Sequence, residues 1–250
     1  DPAIERERGI QIRIFTTQEE LPFAGHPTLG TAAWLHSNHP TLRGAEQITL
    51  DLPIGRIPVR FAPSQPGESG VFGTMQQNDP TFGNLLDTKD DRADLAAALH
   101  LSVDDLDPNL SAQTISTGMA FCIVPLRSIE VAARLQIPQQ AASAYLERHD
   151  AKFFYCITPA DAEANADWHA RMQFYGGEDP ATGSASGCAI AYLVRHGLVA
   201  SGQRIVIEQG IEMLRPSRIY ASATLADGSV SEVFVGGRTI PVASGRLFLP

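Results

Sequence analysis

The chain has 250 residues and a formal charge of −9, and its 19 Lys and Arg are scattered rather than clustered, so neither nucleic acid nor an anionic membrane surface is an expected partner. No apolar run approaches the roughly 18 residues of a membrane span, residues 1–8 are too acidic and polar for a signal peptide, and an odd set of three cysteines without Cys-x-x-Cys spacing suits a reduced cytoplasm. This length can bury the cores of two ordinary domains without disulfide staples.

Alternation of apolar and polar residues over 9–15 predicts a first strand. Ala24-Gly25-His26-Pro27-Thr28-Leu29-Gly30-Thr31-Ala32-Ala33 then reads as a helix entry, with Pro27 at the first helical position, where its missing N–H costs nothing. Residues 28–35 carry no charge, which predicts a buried helix. A strand over 48–52 and a hairpin over 52–61 follow, then a loop holding Pro63, Pro66, Gly67 and Gly70, and a strand over 71–75. Residues 90–100 form an amphipathic helix, and Ser102 caps a shorter one. A boundary at 106–109 divides an N-terminal half-domain, 1–108, from a C-terminal one, 109–250, whose last strand is free to return to the first.

The second half opens with 112–120 and a buried strand over 121–126. A helical stretch follows in which Pro138 leads into 141–148, then a strand over 153–157 and an alternating run over 170–175. Gly177-Glu178-Asp179-Pro180-Ala181-Thr182-Gly183-Ser184-Ala185-Ser186 is a second helix entry, with an uncharged helix over 185–194 and a strand over 205–208 behind it.

The two helix entries superpose without a gap as polar-Pro-x-x-Gly-hydroxyl-Ala, each between strand signals, so two homologous half-domains are the economical explanation. Strands dominate and helices are few, which predicts an α+β fold of two pseudo-symmetric domains, each a curved mixed β-sheet wrapped round a central α-helix. In such a pair the two helix N-termini can face each other across a cleft and hold a carboxylate on their free N–H groups.

Taken alone, His26 reads as a turn residue and Asp179 as an N-cap. Paired across the repeat, they flank the anion site as candidate catalytic groups, with the helix end favouring a neutral His26. Gly25, Thr28, Gly183 and Ser184 are candidate binding positions, the glycines for close backbone approach and the hydroxyls, with Thr31 and Thr182, as donors. His36-x-x-His39 lacks a third ligand, Cys188 suits a buried thiol, and the acids of 87–91 suit a solvated helix entry. With no phosphate loop and no metal cluster, no cofactor is expected.

The motif residues 12–32 and 177–185, with Ser116-Thr117-Gly118 before Val124-Pro125-Leu126-Arg127, Gln209-Gly210 ahead of Arg215-Pro216-Ser217, and Val235-Gly236-Gly237, resemble the PhzF-like phenazine-biosynthesis proteins along nearly the whole chain. The resemblance implies the diaminopimelate-epimerase fold, and places His26 and Asp179 where the epimerases are expected to carry cysteines. It also implies a cofactor-free isomerisation of a small cyclic carboxylate by proton transfer, assisted by His26 and Asp179, with Gly25 and Ser184 at binding positions. The family's glutamate belongs to a turn upstream of the first motif, which this chain begins too late to include; Glu5 and Glu7 do not match it. An isomerase is therefore expected, against a catalytically silent binding or protein-interaction member of the same fold. Its partner is a small carboxylate, and a homodimer is allowed.

Overall fold

The computed structural model describes residues 5, 7–63, 67, 69–246 and 248; of the segments read above, residues 1–4 and 6 of the opening and Pro66 of the loop lie outside the described residues. The strand expected over 9–15 is two. β1 (Ile10–Gln11) runs parallel to β4 (Gln47–Leu52), and β2 (Ile14–Phe15) leaves that sheet to form a hairpin with β3 (Glu20–Leu21). The run over 170–175 divides in the same way. β11 (Trp168–Arg171) lies parallel to β14 (Ile205–Gln209), and β12 (Gln173–Phe174) turns off to pair with β13 (Gly177–Glu178). In each half the chain must leave the main sheet to reach its helix, and a two-residue period does not register where it does so.

Helix α1 (Gly25–Asn38) begins two residues before Pro27, whereas its counterpart in the second half begins after Pro180. Neither proline therefore opens a helix. Pro27 sits in the first turn, where an N–H has no helical acceptor anyway, and Pro180 lies in the bend before the second helix. The remaining elements are β5 (Gly55–Phe61), β6 (Val71–Gln76), β7 (Thr81–Leu86), α2 (Lys89–Ala98), β8 (Ala112–Ser116), β9 (Ala120–Pro125), α3 (Ile129–Ala133), α4 (Gln139–Arg148), β10 (Phe153–Pro159), α5 (Gly183–Arg195), β15 (Ser217–Ala226) and β16 (Ser229–Thr239). The acids at the start of α2 are local: Asp91 and Thr88 form a capping box.

Twelve strands form one sheet in the order β1-β4-β5-β6-β16-β15-β14-β11-β10-β9-β8-β7. The fourth and fifth strands of this order are the antiparallel pair β6 and β16, Phe234 opposite Gln76 through Thr239 opposite Val71, which joins strands far apart in the sequence. The division expected after residue 108 is not a break in this sheet. β7 and α2, on its N-terminal side, pair with β8 and pack with α4.

One apolar core contains residues of both helices and of the strands around them. A second, between the sheet and α2, α3 and α4, is built from Leu95, Leu99, Val131, Leu135, Tyr145 and their neighbours. α5 packs against β8, β9, β10, β15 and β16 and is buried from Gly183 to Val194, so each large apolar side chain on it contributes about 1.5–3 kcal/mol. α1 departs from the expectation of a buried helix. It packs by one face on β4, β6, β16 and α5, and Trp34, on the other, is 61% exposed. Lack of charge permitted burial there without requiring it.

The two helix starts touch. A Cβ on Gly25 would lie 2.5 Å from the Ser184 amide nitrogen and 2.6 Å from the Gly183 Cα, closer than real Cβ contacts. Gly30, later in α1, has open space at that position. Gly25→Ala should therefore destabilise the fold by about 1–3 kcal/mol, as overpacking does. Gly30→Ala should stabilise it by about 0.5–1 kcal/mol through helix propensity alone. Urea denaturation of the two variants makes the comparison.

Candidate active site

Where the helix starts meet, a cavity of about 170 Å³ opens beside them. Gly25, His26, Pro27 and Ser184 supply its polar end together with Asp179 and Thr182, and Phe15, Met119, Phe121, Phe153, Met172 and Phe174 are prominent in its apolar wall. A void of roughly 150 Å³ accommodates a benzene ring, so this one suits a small ring or a compact chain. The first N–H groups of α1 and α5 have no acceptor within their own helices, which gives the polar end donors and positive potential for an anion.

Four of the six expected site residues line this cavity: His26, Asp179, Gly25 and Ser184. The other two do not. Thr28 is fully buried and donates its hydroxyl to Ala24 O at 2.6 Å, so its polarity is spent within α1. Gly183 packs against Gly25 and Met75 as the point where the helices cross, where a Cβ would meet Met75 Cε at 2.9 Å. The ungapped repeat pairs Gly30 with Gly183, but the structure gives Gly25 and Gly183 the equivalent first position of each helix. His26 is therefore an exposed residue of a helical first turn, whereas Asp179 precedes its helix and is partly buried.

Asp179 is held from several sides. Thr182 Oγ1 donates to its Oδ2 at 2.9 Å, Ala181 N–H points to Oδ1 at 3.4 Å, and its own N–H donates to Met172 O at 2.9 Å. Burial pushes its carboxyl above the usual value, against the Thr182 and Ala181 donors and the charges of His26 and Arg215.

Two buried glutamines, absent from the sequence-derived site, brace these helix starts. Gln77 accepts from Thr117 Oγ1 at 2.6 Å and donates to Gly183 O at 2.8 Å; a Cβ on Gly187 would lie 2.0 Å from its Oε1. Gln209 donates to Asp179 O at 2.7 Å and to Thr182 Oγ1 at 2.8 Å. The available signal for Gln209 was its place before Gly210, whose φ of +82° and contact with Arg215 O exclude a side chain. Cys188 is as inert as expected, since burial raises its thiol to about 11. Among the described residues no group of three His, Cys, Asp or Glu is arranged to hold a metal ion.

Glu19 joins the two halves. It pairs with Lys152 Nζ at 2.7 Å and accepts from the Tyr175 hydroxyl, and both donors hold its carboxyl below the ordinary value. A larger cavity, of about 650 Å³, lies between α4 and the β12–β13 hairpin and shares Phe153 and Phe174 with the cleft. Neither helix start lines it, so it lacks the converging donors.

A match to the family model of phenazine biosynthesis-like proteins covers residues 2–245. The chain belongs to this family. Its relatives include the trans-2,3-dihydro-3-hydroxyanthranilate isomerase of Pseudomonas aeruginosa, 34% identical over 98% of this chain and 81% of that protein. Among solved structures, a PhzF-family protein from Bacillus anthracis shares the fold with a TM-score of 0.81 at 24% identity, over 96% of this chain and 80% of the other. A protein from Pseudomonas aeruginosa described as a predicted epimerase matches with a TM-score of 0.78 at 33% identity, over 96% and 79% of the two chains. The chain is thus a member of a family of isomerases with the epimerase-like fold, and among the described residues no helix is long and apolar enough to cross a membrane.

Beside Asp179 this chain carries a largely buried set of charges. Arg171 donates from Nε and Nη2 to Glu178 at 2.9 and 2.6 Å. His169 lies between Glu208 and Glu212, with Nδ1 3.0 Å and Nε2 2.9 Å from their oxygens. Burial works against the imidazolium, but the two carboxylates outweigh it and raise the His169 pKa above its ordinary value. A raised folded-state value contributes stability that is complete below about pH 6 and is lost as pH rises through the shifted value. Denaturation midpoints of the native chain should fall as pH rises from the ordinary imidazole value through the raised one, and those of His169→Gln should lack this component.

Proposed function

We propose that this PhzF-type isomerase moves a proton within a small cyclic carboxylate bound in the cleft, without a cofactor. The carrying observation is the meeting of two helix N-termini at Gly25 and Ser184, flanked by His26 and Asp179 and facing an aromatic wall. The substrate carboxylate sits on the free N–H groups of the two first turns, and its ring lies against Phe153, Phe174 and Met119. That orientation brings a ring carbon or its hydrogen toward His26 and Asp179. Asp179, made more basic than an exposed carboxylate by burial, exchanges the proton on one side, and His26 does so on the other. The named substrate of the Pseudomonas aeruginosa relative, a dihydro-hydroxyanthranilate, has this combination of ring and carboxylate. Cys122, Cys156 and Cys188 are buried free thiols, which supports a reducing, cytoplasmic setting.

Asp179→Asn separates a cap from a proton carrier, because Asn caps nearly as well. The variant should keep its fold and ligand affinity, with a stability change well under ~1 kcal/mol, while turnover falls by roughly 10²–10⁴-fold. His26→Gln should do the same. Steady-state kinetics on a panel of small cyclic carboxylates, with calorimetry for binding, checks both; full turnover in the two variants would leave only an anion-binding cleft.

A further inference from the structure

We infer that Gln209 is a positioning residue for Asp179: its side-chain amide forces the Thr182 hydroxyl to donate to one carboxylate oxygen and leaves the other to exchange protons in the cleft. The inference rests on Asp179 being a proton-transfer group.

Gln209 ends β14 and is completely buried, and its amide is saturated. Oε1 accepts from the Thr182 N–H at 3.0 Å and from the Tyr155 hydroxyl at 3.1 Å, while Nε2 donates to Asp179 O at 2.7 Å and to Thr182 Oγ1 at 2.8 Å. Two backbone groups fix which end is which. A peptide N–H only donates and a peptide carbonyl only accepts, so the amide cannot be turned over without setting donor against donor and acceptor against acceptor.

The polarity propagates one residue further. Because Thr182 Oγ1 receives a proton from Gln209 Nε2, its own hydrogen is free to go to Asp179 Oδ2, 2.9 Å away. Oδ2 therefore has a committed donor. Oδ1 has a single long contact, from Ala181 N–H at 3.4 Å, and keeps capacity for a substrate proton. Gln209 also holds the Asp179 backbone through its carbonyl, so the same amide fixes the position of the carboxylate and which of its oxygens is available.

The test follows the Asp179 carboxyl directly by carbon-13 NMR titration of the intact chain, alongside kinetics. Thr182→Val removes the donor, so the Asp179 midpoint should move to higher pH, and Thr182→Ser, which keeps the hydroxyl, should restore it. Gln209→Leu should move it in the same direction, lower kcat by roughly ten- to a hundredfold and leave KM little changed. Gln209→Met, uncharged and of similar length, serves if the leucine variant does not fold; it too lacks the amide donors to Thr182 Oγ1 and Asp179 O and should have the same effect. In a Thr182→Val background neither Gln209 change should move the midpoint further. An Asp179 titration unaltered by Thr182→Val, or a Gln209 effect undiminished in that background, overturns the inference. Full turnover in Asp179→Asn would instead overturn the proton-transfer reading while leaving the titration result intact.

Discussion

The site depends on two helix N-termini being brought into backbone contact. Helix ends carry partial positive charge and repel when aligned head to head, so their approach at Gly25 and Gly183 needs compensation from elsewhere. Part of it is apolar packing. The buried faces of α1 and α5 share one core with the strands that curve around them. Part is polar, since Gln77 and Gln209 hold backbone carbonyls and side chains at the start of α5. A bound carboxylate would supply the rest, so the unfavourable meeting of two dipoles is also what makes an anion welcome there.

The surroundings divide the polar work between neutral and charged groups. The groups braced directly against α5, Gln77, Thr117, Tyr155 and Gln209, hydrogen-bond one another, Ser186 of that helix and the backbone without carrying charge. Net charge lies a layer further back, in Arg171 with Glu178 and His169 with Glu208 and Glu212. Neutral amides and hydroxyls can fix geometry beside a reacting carboxylate without adding a full charge that would compete with the substrate. The charged layer instead ties down the β13 segment and the loop after β14, on which the Asp179 region rests.

Much of this was legible because the helix entries have distinctive chemistry. Gly-His-Pro and Asp-Pro-Ala-Thr-Gly announced chain turns with free N–H groups, and four of the residues singled out there line one cavity. The phase of the repeat was not legible, since Pro27 and Pro180 look alike in sequence but lie on opposite sides of a helix start. Thr28 was misplaced because a threonine in a helix can donate to its own backbone as readily as to a ligand. Gln77 was missed because a glutamine just past a strand carries no sign of burial or partners, and Gln209 because its one signal, the Gly210 that follows it, marks a turn rather than a buried amide. The β15–β16 hairpin could have been found from Asp227-Gly228, a turn pair with positive φ at both residues between alternating segments.

The pairing of β6 with β16 bears on how the chain reaches this state. Phe234 must meet Gln76 across more than half of the sequence, and until it does, neither half has a closed set of strands around its helix. Closing so long a loop is entropically costly before any contact rewards it, and sheets built on such pairings fold slowly. The cleft is then among the last features to form, because its walls come from both sides of that seam. A nascent chain would carry exposed strand edges from the emergence of β6 until β16 followed it, which places a risk of misassembly in that interval of synthesis.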